Sequence, residues 1–328
     1  MSVINPHDKF LKETLSNKEN AVSFLKNYLP SEIVEMIDFN QVEIEKDSYI
    51  TEELREYFTD LLYKVQILGE ESYIYMLFEH KSYSDKLIGL QLLEYMLQCW
   101  KSKKNQNEEL PIILPIVIFH GKEKWKAGNK LSDLLAIKDE KLNKYIPDFE
   151  YILYNLSSYE DEKIKGTANL KIMMQLLKYF YSDDLIYKLR EILKLIGNDL
   201  EYLKTITIYI LSTTEIDLDE LVNIVRETVS EEGSEFAMTT AQKLYKQGMQ
   251  QGMQQGMQQG MQQGEKNGIL KGLLEGIELG VDIKFGQTGS KIMNQIKKIA
   301  NLEKLEEIKN AIRKADSIDE VLRVVEMK

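Results

Sequence analysis

Proline divides this chain more sharply than any other residue. All five (Pro6, Pro30, Pro111, Pro115 and Pro147) fall in the first 147 of 328 positions, so the remaining 181 carry none. Proline breaks helices and punctuates loops, and its distribution predicts a mixed N-terminal part followed by a mostly helical remainder. The three histidines (His7, His80, His120) and both tryptophans (Trp100, Trp125) also lie in the first part, where functional chemistry is expected. The boundaries read as a core over 1–160, a helical extension over 161–232, a connector over 233–286 and a small helical tail over 287–328.

Within the core, Glu19 to Tyr28 has helical spacing, and Val42 to Lys46 reads as a short strand. Leu61 to Leu68 and Tyr73 to Lys81 read as two strands joined by the turn Gly69-Glu70-Glu71-Ser72. Asp85 to Lys104 repeats Leu87, Leu90, Leu93, Leu97 and Trp100 at three- and four-residue steps, the period of a helix. Ile112 to Phe119 is a continuous apolar run rich in branched residues, which suits a strand buried on both faces. Tyr151 to Leu156 adds an edge strand. The expected class is α/β, a mixed sheet with helices packed on it.

About four helical segments follow from Thr167 to Val229, then an expected break at Glu231-Glu232-Gly233-Ser234. Beyond it the unit Gly248-Met249-Gln250-Gln251 repeats through Gly264, and glycine recurs every fourth residue to Gly280. Four residues overshoot a helical turn by ~40°, so such a stripe winds around a helix instead of keeping one face. Each interior glycine also costs ~1 kcal/mol relative to alanine. The segment is therefore expected to be a low-complexity connector, helical only in part. Ser317 with Glu320 forms a capping box ahead of Val321 and Leu322.

Composition excludes several classes. The lone Cys99 cannot form an internal disulfide, the first residues lack the features of a signal peptide, and no apolar run nears bilayer length; a cytoplasmic protein with no membrane partner is expected. A net charge of −11 argues against coating nucleic acid by bulk charge, but not against touching a few phosphates locally.

Three residues carry candidate chemistry. Asp60 precedes the first hairpin strand, and Glu79 and Lys81 end the second on one face, with His80 on the other. The hairpin brings two carboxylates and an ammonium to one end of a sheet. Paired carboxylates there suit a hard divalent ion such as Mg2+, with Lys81 orienting water or stabilising charge on a phosphate. On the next helix, Gln91 and Tyr95 share a face and are placed to hold a nucleic-acid backbone or the attacking water. Two lysine groups, Lys101/Lys103/Lys104 and Lys122/Lys124/Lys126, are candidates for phosphate contact at the same end. His120 reads as a turn or packing residue.

The order Asp60…Glu79-His80-Lys81…Gln91-Leu92-Leu93-Glu94-Tyr95 resembles the PD-(D/E)XK nuclease core. More specifically, His7-Asp8-Lys9-Phe10, Asn27-Tyr28-Leu29-Pro30, Thr59-Asp60-Leu61-Leu62-Tyr63-Lys64-Val65, Phe78-Glu79-His80-Lys81-Ser82 and Pro115-Ile116-Val117-Ile118-Phe119-His120-Gly121 are similar to blocks of the Rpn family, the recombination-promoting nucleases also described as transposases. The resemblance spans about residues 5 to 230, and implies a restriction-endonuclease-like fold and Mg2+- or Mn2+-dependent DNA cleavage linked to recombination. It implies metal ligation by Asp60, Glu79 and the backbone carbonyl of His80, with Lys81 as catalytic lysine and Gln91 in support. A further acid from the first helix is either Asp8 or Glu13. Thr59 stands where the superfamily name has proline. The rival reading is a non-catalytic interaction or DNA-binding protein with a vestigial core; in either case the C-terminal helical region is a candidate for homo-oligomerisation.

Overall fold

The computed structural model describes residues 5–45, 60–79, 85–105, 108–122, 124–136 and 139–326. The chain divides into two compact units, Met1–Tyr245 and Lys246–Lys328.

The first unit opens with helices α1 (Pro6–Leu15), α2 (Lys18–Tyr28) and the short α3 (Ser31–Val34). Asn17 starts α2 by accepting from the backbone N–H of Asn20. Then come β1 (Glu43–Glu45), the hairpin β2 (Asp60–Ile67) and β3 (Glu70–Glu79), helix α4 (Ile88–Asn105), β4 (Ile112–Phe119) and β5 (Ile152–Asn155). The five strands form one sheet in sequence order. β1, β2 and β3 are antiparallel, while β3, β4 and β5 are parallel. This is the mixed sheet flanked by helices that the sequence predicts. Helices α5 (Ala168–Tyr179), α6 (Leu185–Leu193), α7 (Leu200–Thr213) and α8 (Leu218–Thr228) complete the expected extension.

The hairpin turn is shorter than expected. β3 begins at Glu70, so Glu70, Glu71 and Ser72 belong to the strand and the turn is Leu68-Gly69 alone. Both residues have positive φ, 54° and 86°, which matches the strand twist in a two-residue hairpin. Leucine is a poor occupant of that region, and Leu68 is 77% exposed, so its side chain contributes little packing. Leu68→Asn is expected to stabilise the first unit by ~1 kcal/mol, read as a higher urea midpoint.

Strand alternation gives the sheet two cores. Leu61, Tyr63, Val65, Ile74, Met76, Phe78, Ile116 and Ile118 face the larger one, shared with α1, α2 and α5–α8. Leu62, Tyr73, Tyr75, Leu77, Ile113 and Val117 face the smaller one, covered by Ile88, Leu92, Tyr95, Met96 and Cys99 of α4. Burial pushes the Cys99 thiol up to about 11, which makes it an inert packing group.

The glycine-rich stretch departs from expectation. In place of a break at Glu231–Ser234 and partial helicity, residues 231–285 form one 55-residue helix, α9 (Glu231–Phe285). Between the glycines stand methionine and glutamine, both good helix formers, which carry three of every four positions of the repeat. Most of these glycines, from Gly252 to Gly276, meet nothing within 4 Å of an added Cβ, so they form no packing seam among the described residues. In the second unit the end of α9 packs Leu273, Ile277 and Val281 against α10 (Ser290–Ile296), α11 (Leu302–Lys314) and α12 (Ile318–Glu326). Among the described residues no helix is long and apolar enough to cross a membrane.

Candidate active site

The hairpin register fixes the first part of the site. Asp60 is the antiparallel partner of Leu77, two residues before Glu79. Directly opposed strand positions are ~5 Å apart and the diagonal ones ~7–8 Å, a separation that two carboxylates can bridge through one ion. Positions 60 and 79 also share the α4 face, because Leu62 on β2 and Tyr75 and Leu77 on β3 lie in that core. Of Asp60 and Glu79 only the backbone is described, and His80 and Lys81 lie outside the described residues.

Helix α4 runs back along β3, and side-chain contacts set its position. At the far end of the sheet, Lys103 donates to Glu71 Oε1 at 2.8 Å. In the middle, the ring of Tyr95 stacks on Tyr75, centroids 3.5 Å apart and planes 8° apart. Gln91 lies one turn, ~5–6 Å, further toward the end of β3 that carries Glu79. Its Oε1 is enclosed and has no hydrogen-bond partner among the described residues. An enclosed carbonyl oxygen without a donor is costly, so this oxygen is poised to accept a hydrogen bond.

Two expectations need correction. Tyr95 is buried against Tyr75 and holds the helix in register, so it is a packing residue and does not present its ring to a nucleic-acid backbone. The Lys101–Lys104 group ends α4, at the opposite end of the sheet from Glu79. Lys103 there is 4% exposed and bonded to Glu71 and Glu108. Burial works against the charge on Glu71, but hydrogen bonds from Lys103, Lys64 and Tyr73 hold its carboxyl down at about 2. This network ties α4 to the hairpin. By contrast, Lys122, Lys124 and Lys126 follow β4, whose last residue Phe119 pairs with Glu79, and all three are exposed.

The structure also gathers residues that spacing alone does not connect. His7 in the first turn of α1 packs on His120 just past β4, ring centroids 4.8 Å apart, and shares a 2.9 Å hydrogen bond with the Tyr209 hydroxyl on α7. His7 is 6% exposed and His120 is fully buried. His120 is thus a packing residue, as expected, at the same end of the sheet as Glu79. The partner is 113 positions away in sequence, and no periodicity could reveal the pair. Asp8 is half-buried beside His7. Glu13 is exposed and accepts from the Thr205 hydroxyl at 2.9 Å, five residues further along α1. Among the described residues no three His, Cys, Asp or Glu side chains gather as a metal site.

Comparison with known proteins decides the family. Residues 5–206 match the model described as "Putative transposase, YhgA-like". The chain belongs to this family. Relatives carry the recombination-promoting nuclease name that the sequence motifs resemble. The chain is 27% identical to recombination-promoting nuclease RpnC of Escherichia coli K12, over 75% of this chain and 82% of the relative. It is also 27% identical to RpnA of the same strain, over 75% of this chain and 85% of that protein. A third relative, 25% identical over 75% of this chain and 83% of its own length, is the inactive recombination-promoting nuclease-like protein RpnE. No solved structure matches the chain.

Proposed function

We propose that this family member is a divalent-metal-dependent DNA endonuclease that hydrolyses phosphodiester bonds, with a role in recombination. The observation that carries the reading is the hairpin register, which sets Asp60 diagonal to Glu79 on the face that Gln91 approaches from α4. The ligand set this reading calls for is all oxygen: the carboxylates of Asp60 and Glu79 and the backbone carbonyl of His80. An all-oxygen set fits Mg2+ or Mn2+ and is poorly suited to a soft metal. A bound ion supplies a Lewis acid for the phosphate and lowers the pKa of water.

The chain's own residues divide the remaining work. Asp60 and Glu79 hold the ion; Lys81 orients the attacking water and stabilises charge developing on the phosphate. Gln91 accepts a hydrogen bond from that water, which satisfies its otherwise orphaned oxygen. The N-terminal acid of the site is Asp8 or Glu13, of which Glu13 is engaged with Thr205. Lys122, Lys124 and Lys126 contact the DNA backbone beside the cut.

One observation favours a second reading. A relative of nearly equal identity is named inactive, so a non-catalytic DNA-binding or interaction protein with a vestigial core is the rival. Supercoiled plasmid incubated with the full chain and Mg2+ or Mn2+ separates the two. Nicking or linearisation that EDTA abolishes is the expected result, accompanied by Mn2+ binding in calorimetry. Intact plasmid together with no ion binding is the outcome that would leave the rival standing.

A further inference from the structure

Three large apolar side chains stand exposed together at the end of the sheet opposite the proposed site. Leu68 at the hairpin tip is 77% exposed, and Leu110 just before β4 and Ile112 at its start are each 60% exposed. They line one groove of about 610 Å3. The register sets Ile112 beside Ser72 and Ile67 opposite Glu70, so the hairpin turn and the start of β4 form its walls. Packing within the chain does not account for these residues. Leu68 also holds a φ of 54°, a conformation that costs a leucine on the order of 1 kcal/mol. The rim is acidic: Glu70, Glu71, Glu108 and Glu109 share the groove. Lys64 and Lys103 pair with Glu71, and Lys103 also with Glu108, while Glu70 and Glu109 are exposed and form no ion pair among the described residues.

We propose that this groove is a docking site for a basic amphipathic helix of another protein, which seats apolar side chains on Leu68, Leu110 and Ile112 and sets lysine or arginine against Glu70 and Glu109. Charge complementarity selects the occupant. A second copy seated groove to groove would bring the four glutamates against themselves, and like charges across an interface cost several kcal/mol. Nucleic acid and anionic lipid meet the same repulsion. A helix with an apolar stripe flanked by basic residues gains from both the floor and the rim. The inference is independent of the DNA-cleaving reading. Strand β3 runs ten residues from Glu70 at the groove to Glu79 at the proposed site, about 30 Å at the rise of a strand. A partner held here tethers the protein and leaves the far end of the sheet open.

The test titrates the full chain with two fluorescently labelled peptides of one composition, rich in leucine and lysine. In the first the leucines recur at three- and four-residue steps on one helical face; in the second they are spread around the helix. The first is expected to bind at least tenfold more tightly, which separates the groove from general attraction to an acidic protein. Leu68→Asn is expected to weaken that binding about tenfold or more. Because the same substitution is expected to raise stability, a loss of binding in it is not a folding defect. The double reversal Glu70→Lys with Glu109→Lys is expected to weaken binding similarly, and the wild-type affinity to fall as salt is raised. Equal binding of the two peptides, binding of neither, or unchanged affinity in Leu68→Asn overturns the proposal. Self-association of the wild type in sedimentation that Leu68→Asn abolishes puts a second copy in the groove and overturns it as well. None of these outcomes bears on plasmid cleavage, which Leu68→Asn is expected to leave unchanged.

Discussion

Asp60→Ala is expected to slow plasmid cleavage about a thousandfold or more, the scale set by losing several kcal/mol of charge stabilisation from one ion. The same substitution is expected to leave the metal-free protein as stable as the wild type, or slightly more so. Two carboxylates placed diagonally on one sheet face repel each other when no cation separates them, and removing one relieves that repulsion. Melting curves with and without Mg2+ therefore carry a signature that a purely structural residue does not produce. The wild type gains in melting temperature on adding Mg2+ through linkage, and the variant does not. A variant that cuts at the wild-type rate, or that unfolds without metal, places the chemistry elsewhere.

Tyr95→Ala produces the largest expected loss of stability among the residues near the site, ~3–5 kcal/mol. The ring is 6% exposed and stacked on Tyr75, so its removal opens a cavity between α4 and the sheet. Urea unfolding followed by tryptophan fluorescence measures it, since Trp100 on α4 and Trp125 both pack on this smaller core. Cleavage is expected to fall as well, because the Tyr75–Tyr95 stack fixes the height at which Gln91 stands along β3. Tyr95→Phe keeps the ring and is expected to retain most of both properties. Full stability in Tyr95→Ala would show that α4 is held by its other contacts alone.

Much of the fold is legible in the residues because local pattern and burial agree. The branched run of β4 and the glycine-marked hairpin each say one thing at every level. The leucine period of α4 gives the helix but not its buried face: Leu87, Leu90 and Leu97 are exposed, and Ile88, Leu92, Tyr95, Met96 and Cys99 face the sheet. The diagonal arrangement of Asp60 and Glu79 follows from the same hairpin and was readable in outline. What local pattern could not supply is partnership. Lys103 looks like a phosphate-binding lysine until the crossover carries it to the far end of the sheet beside Glu71. Tyr95 shares a helix face with Gln91, yet one is buried on Tyr75 and the other reaches the strand end, a difference set by how far each lies along β3. The continuous helix α9 is hidden in the sequence because each glycine is a local cost, while the Met and Gln between them sustain the helix. The two-residue turn is not legible in sequence, since leucine gives no hint of the positive φ that Leu68 adopts.

The bonds between α1 and α7 have a bearing on how the protein is made. His7 meets Tyr209, and the Thr14 hydroxyl meets that of Tyr202, pairs separated by 202 and 188 residues. At a translation rate of ~5–20 residues per second, the first helix waits on the order of ten to forty seconds for the segment that closes over it. A ribosome-bound chain thus carries its hairpin well before the larger core can close, and that core stays open on one side until synthesis has passed the seventh helix.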